Sequence, residues 1–309
     1  MKLGLLTAIL PDMDFKQVID YCSDVGFQAV EAACWPREPA FRRYAGVTHL
    51  EFGEAGKDQL FSDLEYADRK KIVVSALAYY PNPLSPKEQE RKKAAEHIER
   101  LILAAAETGI GQVNTFIGRN RFLNIEENLR LVKEIWSPLM ELAEKKQVRI
   151  AVENCPMYFS KDEWPGGNNL ASSPVLWREL FRILDSDNLG LNYDPSHQVI
   201  QDMDYIKPVY EFRDKIFHIH FKDVHIQREK LDDCGRFAYP LSYMTPKVPG
   251  LGDIDWAAFC RALYDVRYRG CACVEIEDRA FEDTFEDTDR GIRIACRHIS
   301  KFLKKGEHL

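Results

Sequence analysis

Short apolar runs rich in β-branched residues alternate with longer stretches of helical period along nearly the whole chain, and this alternation constrains the fold more than any other feature. Eight such units can be counted, and repeated βα units place helices around a parallel sheet. The predicted strands span residues 3–8, 29–34, 72–78, 112–117, 149–153, 189–194, 216–223 and 271–276. A length of 309 residues falls within the range of a (β/α)₈ barrel with insertions. We therefore predict an α/β fold, a (β/α)₈ barrel forming a single domain over residues 1–309.

An open, doubly wound sheet is the alternative topology for the same alternation. Its dinucleotide-binding form carries a glycine-rich turn after the first strand. Here that segment reads LTAILPDMD and contains no glycine. The barrel is therefore the favoured topology.

Helical periods predict the elements between the strands, and three connections are too long to be simple turns. The predicted helices span residues 14–25, 57–70, 85–108, 125–146, 174–184, 203–213, 255–266 and 285–303. The long loops follow the second, fifth and seventh strands, at about residues 35–56, 154–173 and 224–252. Long loops inside compact domains are often functional, so we expect these loops near the active site.

The net charge and the cysteine spacing limit the kinds of molecule and metal that this chain is expected to bind. The formal net charge is -7 and the acidic residues are spread along the chain, whereas binding to nucleic acid needs a concentrated basic face. The eight cysteines form no CxxC pair, which disfavours a zinc knuckle or a redox motif. No apolar stretch is long enough to span a membrane, and the start of the chain lacks a signal-peptide pattern. We expect a cytoplasmic protein that acts on a small molecule.

Polar residues that can carry chemistry cluster at the ends of the last four predicted strands. These strands end in AVEN, NYDPSH, HIHFKD and VEIED, which place Glu153, Asp194, His220 and Glu275 at matching depths. In a (β/α)₈ barrel the carboxyl ends of the strands form the active site. Three carboxylates a few Å apart repel strongly unless a cation neutralises them. The set predicts a divalent metal site, with Mn²⁺ or Mg²⁺ ahead of Co²⁺ or Zn²⁺.

Further candidates surround this centre, each with a structural alternative. His218 and Lys222 share one strand face with His220, because side chains alternate along a strand. His197 follows Asp194 by three residues and can turn back towards the metal ligands, or simply open a helix. The remaining substrate-binding candidates are Glu31 on the second strand, Asn114 on the fourth, and the loop aromatics Trp35 and Trp164, which form a wall for a sugar ring or only pack the loops together.

These motifs resemble the xylose isomerase-like TIM barrel superfamily over nearly the whole chain. The resemblance is to the sugar phosphate isomerase/epimerase group, which also holds ketohexose 3-epimerases, inosose dehydratases and isomerases, and endonuclease IV. Its most specific pieces are VEN, DPSH, HIHFKD, PGLGDIDW and VEIED. The resemblance implies that Glu153, Asp194, His220 and Glu275 bind one divalent metal. It also implies that Glu153 and Glu275 are the acid/base pair and that His197 contacts substrate.

Two departures limit what the resemblance implies. Ketohexose epimerases carry a substrate-binding arginine six residues after the metal histidine, where this chain has Ile226. Endonuclease IV needs additional metal-binding histidines at the third and fourth strands, where this chain reads AYY and NTFIG. Recognition of a simple ketohexose in the epimerase manner and an apurinic endonuclease activity are therefore both disfavoured.

The leading hypothesis is a sugar or cyclitol isomerase/epimerase that transfers protons through a metal-stabilised enediolate. Elimination from the same intermediate is the alternative, which makes the chain a dehydratase or lyase on keto-inositols or 3-keto-glycosides. A third class, a non-catalytic sugar-binding protein, is disfavoured because both glutamates are present. The sequence leaves open whether the substrate is phosphorylated. Barrels of this kind often pair, so a homo-oligomer is among the expectations.

Overall fold

The computed structural model describes residues 1–37, 44–53, 56–158, 161, 164 and 166–303. Eight parallel strands close into a barrel in the order β1-β10-β7-β6-β5-β4-β3-β2, which confirms the predicted (β/α)₈ fold. The barrel strands are β1 (Lys2–Leu6), β2 (Ala29–Ala33), β3 (Val73–Ala78), β4 (Gln112–Thr115), β5 (Arg149–Glu153), β6 (Leu189–Tyr193), β7 (Ile216–Phe221) and β10 (Cys271–Val274).

Helices surround the barrel, and the long ones pack their apolar faces on the strands, as the helical periods predict. They are α1 (Phe15–Val25), α2 (Lys57–Arg69), α3 (Glu88–Thr108), α4 (Ile125–Lys146), α5 (Pro174–Leu184), α6 (Ser196–Ile200), α7 (Lys207–Glu211), α8 (Arg228–Cys234), α9 (Trp256–Asp265) and α10 (Phe285–Ser300). Within the described ranges, no helix is long and apolar enough to cross a membrane.

The helix predicted over residues 203–213 is confirmed only in part. Two short helices lie in this region: α6 precedes the predicted span, and α7 covers only residues 207–211 of it. Asp202 has φ 59° and ends the first of them, while the Asp204 side chain accepts hydrogen bonds from the backbone of Ile206 and Lys207 at 2.7 and 2.9 Å. Pro208 at the start of α7 fits a helix beginning rather than a helix interior. Local turn chemistry therefore overrides the helical period.

Within the described residues the long loops keep their predicted places, and the loop at 224–252 contains regular structure. Residues 159–160, 162–163 and 165 of the loop at 154–173 lie outside the described residues. Within residues 224–252, the helix α8 lies between two strands, β8 (Asp223–Ile226) and β9 (Met244–Lys247), which pair antiparallel outside the barrel. The predicted loop at 35–56 includes residues 38–43 and 54–55, which lie outside the described residues. The predicted closing helix ends at Ser300 rather than at residue 303.

Strand register sets the height of the polar residues inside the barrel. Cys273 of β10 lies beside His220 of β7, and Glu153 of β5 lies beside Asn192 of β6. The register shifts directly before Glu31 on β2 and directly before Asn192 on β6. Such irregularities redirect side chains locally. Polar residues that are far apart along the chain therefore meet inside the barrel.

Candidate metal centre

The four predicted ligands lie together at the carboxyl end of the barrel. One ligand atom from each of Glu153, Asp194, His220 and Glu275 lies within 4.8 Å of those of the others. Glu153 ends β5, His220 lies on β7, and Asp194 and Glu275 follow β6 and β10 directly. The first three are buried, while Glu275 is partly exposed. We call these four residues the mouth group.

His220 turns its two ring nitrogens towards different acids. Nδ1 lies 3.0 Å from Glu275 Oε2 and 3.4 Å from Glu153 Oε1. Nε2 lies 2.6 Å from Glu31 Oε2. Burial lowers the pKa of His220, but the carboxylates of Glu31 and Glu275 outweigh that effect and raise its pKa well above the usual value.

Lys222 supplies a positive charge inside the mouth group. Its Nζ lies 3.0 Å from Glu275 Oε2, 3.2 Å from Asp194 Oδ2 and 3.8 Å from Glu153 Oε1. Glu277, the partner suggested by the sequence, lies 3.5 Å away. Burial lowers the pKa of Lys222, but Glu275 and the other carboxylates outweigh it and hold that pKa well above the usual value. The ammonium group therefore balances part of the carboxylate charge.

His197 contacts two carboxylates of the mouth group. Its Nε2 lies 3.3 Å from Glu153 Oε1 and 3.1 Å from Asp194 Oδ2. Burial alone raises the pKa of both acids, yet Lys222 holds the pKa of Glu153, and His197 that of Asp194, below the usual value. The three-residue spacing of Asp194 and His197 thus returns the ring to the mouth group.

The donor chemistry of the mouth group fits a divalent cation. It offers one imidazole nitrogen and oxygens from three carboxylates, a set suited to Mn²⁺, Mg²⁺ or Zn²⁺. Asp194 Oδ2 is buried, and in the described part of the chain it accepts no hydrogen bond of good geometry, although two cationic groups lie near it. Such an oxygen is expected to have a partner, and a metal ion is one.

A cavity of about 840 Å³ opens above the mouth group, and its walls differ in character. The polar wall comes from β5 and the segments that follow it and includes Glu153, Ser196, His197, Lys222, Glu275, Glu277 and Arg279. The opposite wall is largely apolar and includes Leu6, Ala8, Ala33, Trp35, Tyr44, Ala78, Tyr80, Phe116 and Met157. Side chains of the loop after β7 complete the rim, among them Tyr239, Leu241 and Met244. The cavity size is typical of a small-molecule site.

The predicted substrate-binding residues divide into two sets. His197, Lys222 and Trp35 line the cavity, whereas Glu31, Asn114 and His218 do not. These last three are almost wholly buried, at 0%, 0% and 1% exposure. We expected them to face the pocket, but none of the three is among the residues that line the cavity, and their contact with substrate stays a prediction. Their side chains contact protein groups instead.

Trp164 also lies away from the cavity lining. Its Nε1 donates a hydrogen bond to the Phe237 carbonyl at 3.1 Å, and its ring packs edge-on against Tyr158 at 5.8 Å between ring centroids. Tyr158 itself lines the cavity. Trp164 therefore joins the loops after β5 and β7, which is the packing alternative considered for the loop aromatics.

A second polar cluster lies deeper in the barrel. His218 Nδ1 lies 3.0 Å from Asn192 Oδ1, and its Nε2 lies 3.1 Å from Ser75 Oγ and 3.7 Å from Cys273 Sγ. We call Ser75, Asn192, His218 and Cys273 the deep group. Burial lowers the pKa of His218 to about 4, so the ring is neutral and its 3.6 Å approach to Glu31 is not an ion pair.

Sequence reasoning missed several residues of the site. Asn192 comes two residues before Asp194 and therefore points to the same face of its strand, a signal that the alternation rule offers. Arg279 follows the VEIED motif within the same loop. The contact between Glu31 and His220 joins residues 189 positions apart, and no local pattern announces it.

Comparison with known protein families identifies the family of this chain. A family model described as xylose isomerase-like TIM barrel matches residues 19–302. The chain belongs to this family. The finding agrees with the resemblance carried by the strand-end motifs.

The curated proteins to which this chain is similar include inosose dehydratases. That of Clostridium perfringens is 24% identical over 208 residues, which cover 62% of this chain and 65% of the relative. That of Lactiplantibacillus plantarum is 33% identical over 97 residues, covering 30% of this chain and 32% of the relative. The matched segments thus span between one third and just under two thirds of these relatives.

Solved structures agree over nearly the full length. The IOLI protein, solved with a zinc atom bound, superposes with a TM-score of 0.72 at 19% identity and covers 99% of this chain and 100% of its own. D-Psicose 3-epimerase from Clostridium cellulolyticum H10 superposes with a TM-score of 0.68 at 16% identity over 99% and 100% of the two chains. At these identities the likeness shows the shared fold.

Proposed function

We propose that the chain is a divalent-metal-dependent isomerase or epimerase of a sugar or cyclitol. One observation carries the proposal. Two glutamates from different strands, Glu153 and Glu275, approach the same imidazole and the same ammonium group at the floor of one cavity. Two carboxylates placed around one substrate can remove a proton at one face and deliver one at the other.

The mouth group is the proposed metal site, with Glu153, Asp194, His220 and Glu275 as ligands. When bound, the ion supplies Lewis acidity that makes a carbon-bound proton next to a carbonyl easier to remove. We propose Mn²⁺ first, with Mg²⁺, Co²⁺ and Zn²⁺ as alternatives. The zinc in the IOLI structure supports a divalent ion in this fold.

In the proposed reaction, Glu153 or Glu275 takes the proton from the substrate carbon and the other carboxylate returns a proton to the opposite face. The enediolate between the two steps carries negative charge. Lys222 and His197 both line the cavity beside the carboxylates and can hold a substrate oxygen as that charge develops. The apolar wall excludes water from the other side of the substrate.

A dehydratase is the second candidate, and the matched inosose dehydratases favour it. The same carboxylate pair serves: one takes the proton from carbon, and the other, as the carboxylic acid, gives its proton to a β-hydroxyl, whose C–O bond breaks so that it leaves as water. The expectations of a single domain, a cytoplasmic location, a homo-oligomer and a small carbohydrate as the partner stay predictions.

Isotope exchange separates the two reactions. The protein is incubated with Mn²⁺ in D₂O with ketoses, inososes and 3-keto-glycosides, and products are followed by NMR and mass spectrometry. Deuterium next to the carbonyl of an isomeric product supports the isomerase or epimerase, whereas loss of water supports the dehydratase.

Glu153→Gln and Glu275→Gln should each lower turnover by about 10²- to 10⁴-fold. Glu277→Gln, also in the cavity lining, is the matched control and should retain most activity. Full activity in either of the first two variants would contradict the two-carboxylate reaction.

A further inference from the structure

Glu31 makes a contact that the proposed reaction does not use. Its Oε2 lies 2.6 Å from Nε2 of His220, and both side chains are fully buried. A carboxylate at this distance accepts a strong, charge-assisted hydrogen bond from a ring N–H. The proton on Nε2 of His220 is therefore directed away from the mouth group and towards β2.

The other nitrogen of His220 faces the predicted ligands. Nδ1 lies 3.0 Å from Glu275 Oε2 and 3.4 Å from Glu153 Oε1. A neutral imidazole carries one proton and offers one lone pair, and a metal ion needs the lone pair. With Nε2 protonated, that lone pair belongs to Nδ1, on the side of the carboxylates.

We propose that Glu31 is a positioning residue that fixes the tautomer and orientation of His220, so that Nδ1 is the atom offered to the metal ion. The inference rests on the proposed metal centre and adds a residue to it. A carboxylate behind a ligating imidazole also increases the electron density that the ring donates to the ion. Glu31 thereby acts on the metal through His220.

The surroundings hold Glu31 in place for this role. Tyr80 donates its hydroxyl hydrogen to Glu31 Oε1, and the strand register shifts between Val30 and Glu31 on β2. Tyr80 also lines the cavity. A substrate that fills the cavity therefore packs against a residue that braces Glu31.

Asn192 is the competing partner for the same ring nitrogen. Its Nδ2 lies 3.0 Å from His220 Nε2, and a hydrogen bond donated there would require the ring proton to sit on Nδ1. However, Nδ2 also donates to the Tyr80 hydroxyl at 2.9 Å, and the Glu31 carboxylate is both closer to Nε2 and negatively charged. The geometry therefore favours Glu31 as the partner of the Nε2 proton.

The test compares Glu31→Gln with Asn192→Ala by two measurements on the full-length protein. The first is Mn²⁺ affinity, measured by titration of metal-free protein with the free ion followed by electron paramagnetic resonance. Glu31→Gln keeps the size of the side chain but removes its charge, and should weaken affinity by about 10- to 100-fold. Asn192→Ala should leave affinity much closer to that of the wild type.

The second measurement locates the proton by ¹⁵N NMR of the histidine rings in Zn²⁺-loaded protein. In the wild type, His220 should carry its proton on Nε2, with a hydrogen resonance shifted downfield by the carboxylate. That shift should shrink in Glu31→Gln. This readout does not depend on activity, and the wild-type spectrum decides the tautomer even if a variant fails to fold.

Four results would overturn the inference. Wild-type metal affinity in folded Glu31→Gln, or a His220 proton on Nδ1 in the Zn²⁺-loaded wild type, would remove the role of Glu31 and leave the metal centre standing. A wild-type protein that binds neither ion would overturn the metal centre and, with it, any positioning role. A loss of affinity confined to Asn192→Ala would assign the ring to Asn192 instead.

Discussion

The mouth group and the deep group share three strands, β6, β7 and β10, yet they differ in charge and in how their polar atoms are satisfied. His220 and His218 are two residues apart on β7, and Glu275 and Cys273 are two residues apart at β10. The upper member of each pair lies among carboxylates and an ammonium group. The lower member is hydrogen-bonded to neutral side chains, and the one carboxylate near His218 in the described part of the chain, that of Glu31, lies 3.6 Å away.

This difference gives the two groups different proposed roles: the deep group supports the fold, and the mouth group binds a cation. Neutral protein groups satisfy both ring nitrogens of His218 in the deep group, since His218 is bonded to Asn192 on one side and to Ser75 on the other. The mouth group keeps Asp194 Oδ2 without a well-formed hydrogen bond from the described residues, and its carboxylates depend on nearby cations. Closed polar networks stabilise a fold, whereas concentrated charge of one sign binds an opposite charge.

The largest effect is expected from removing the positive charge of the mouth group. Lys222→Met leaves several carboxylates without their ammonium partner, and breaking a buried ion pair costs about 3–5 kcal/mol. The free energy of unfolding of the metal-free variant should fall by that amount in urea titrations. Saturating Mn²⁺ should recover much of the loss, because the ion replaces the missing charge. Equal destabilisation with and without Mn²⁺ would contradict the view that the two cations serve the same carboxylates.

An intermediate effect is expected from removing one oxygen ligand. Asp194→Asn should weaken Mn²⁺ binding by more than about 100-fold, because loss of an outer-shell partner alone costs 10- to 100-fold. Ser75→Ala in the deep group is the matched control and should bind Mn²⁺ as the wild type does. Isothermal titration calorimetry measures both. If the two variants lose similar affinity, the division into a binding group and a supporting group fails.

The smallest effect is expected from Cys273→Ser. Glu31, His218 and Cys273 also place ligand atoms within 4.8 Å of one another, so a second ion there is the alternative to a purely supporting role. A serine hydroxyl can bond His218 as the thiol does, and the change in unfolding free energy should stay within about 1 kcal/mol.

The number of metal ions bound per chain also tests the comparison between the mouth group and the deep group. Both the wild type and Cys273→Ser should contain one ion per chain by elemental analysis after loading with Zn²⁺. Two ions in the wild type and one in the variant would make the deep group a second metal site.

Much of the candidate site was visible in the sequence. The strand-end motifs carry Glu153, Asp194, His220 and Glu275, and the structure brings all four together because the carboxyl ends of parallel barrel strands meet at one face. The alternation along β7 likewise placed His218, His220 and Lys222 on one side of the strand. The helix predicted at 203–213 forms only over residues 207–211, because turn-forming side chains compete with helical periodicity before it.

The sequence by itself determined the βα alternation, hence the barrel, and which residue types stand at the strand ends. Only the tertiary structure decided which of two neighbouring histidines faces the carboxylates, which acid stands behind His220, and which aromatic residues line the cavity. The physical reason is the distance along the chain over which each property acts. Alternation and helical period are properties of adjacent residues, whereas the charge and hydrogen bonding around His220 come from Glu31 on β2 and Glu275 after β10, which only barrel closure brings together.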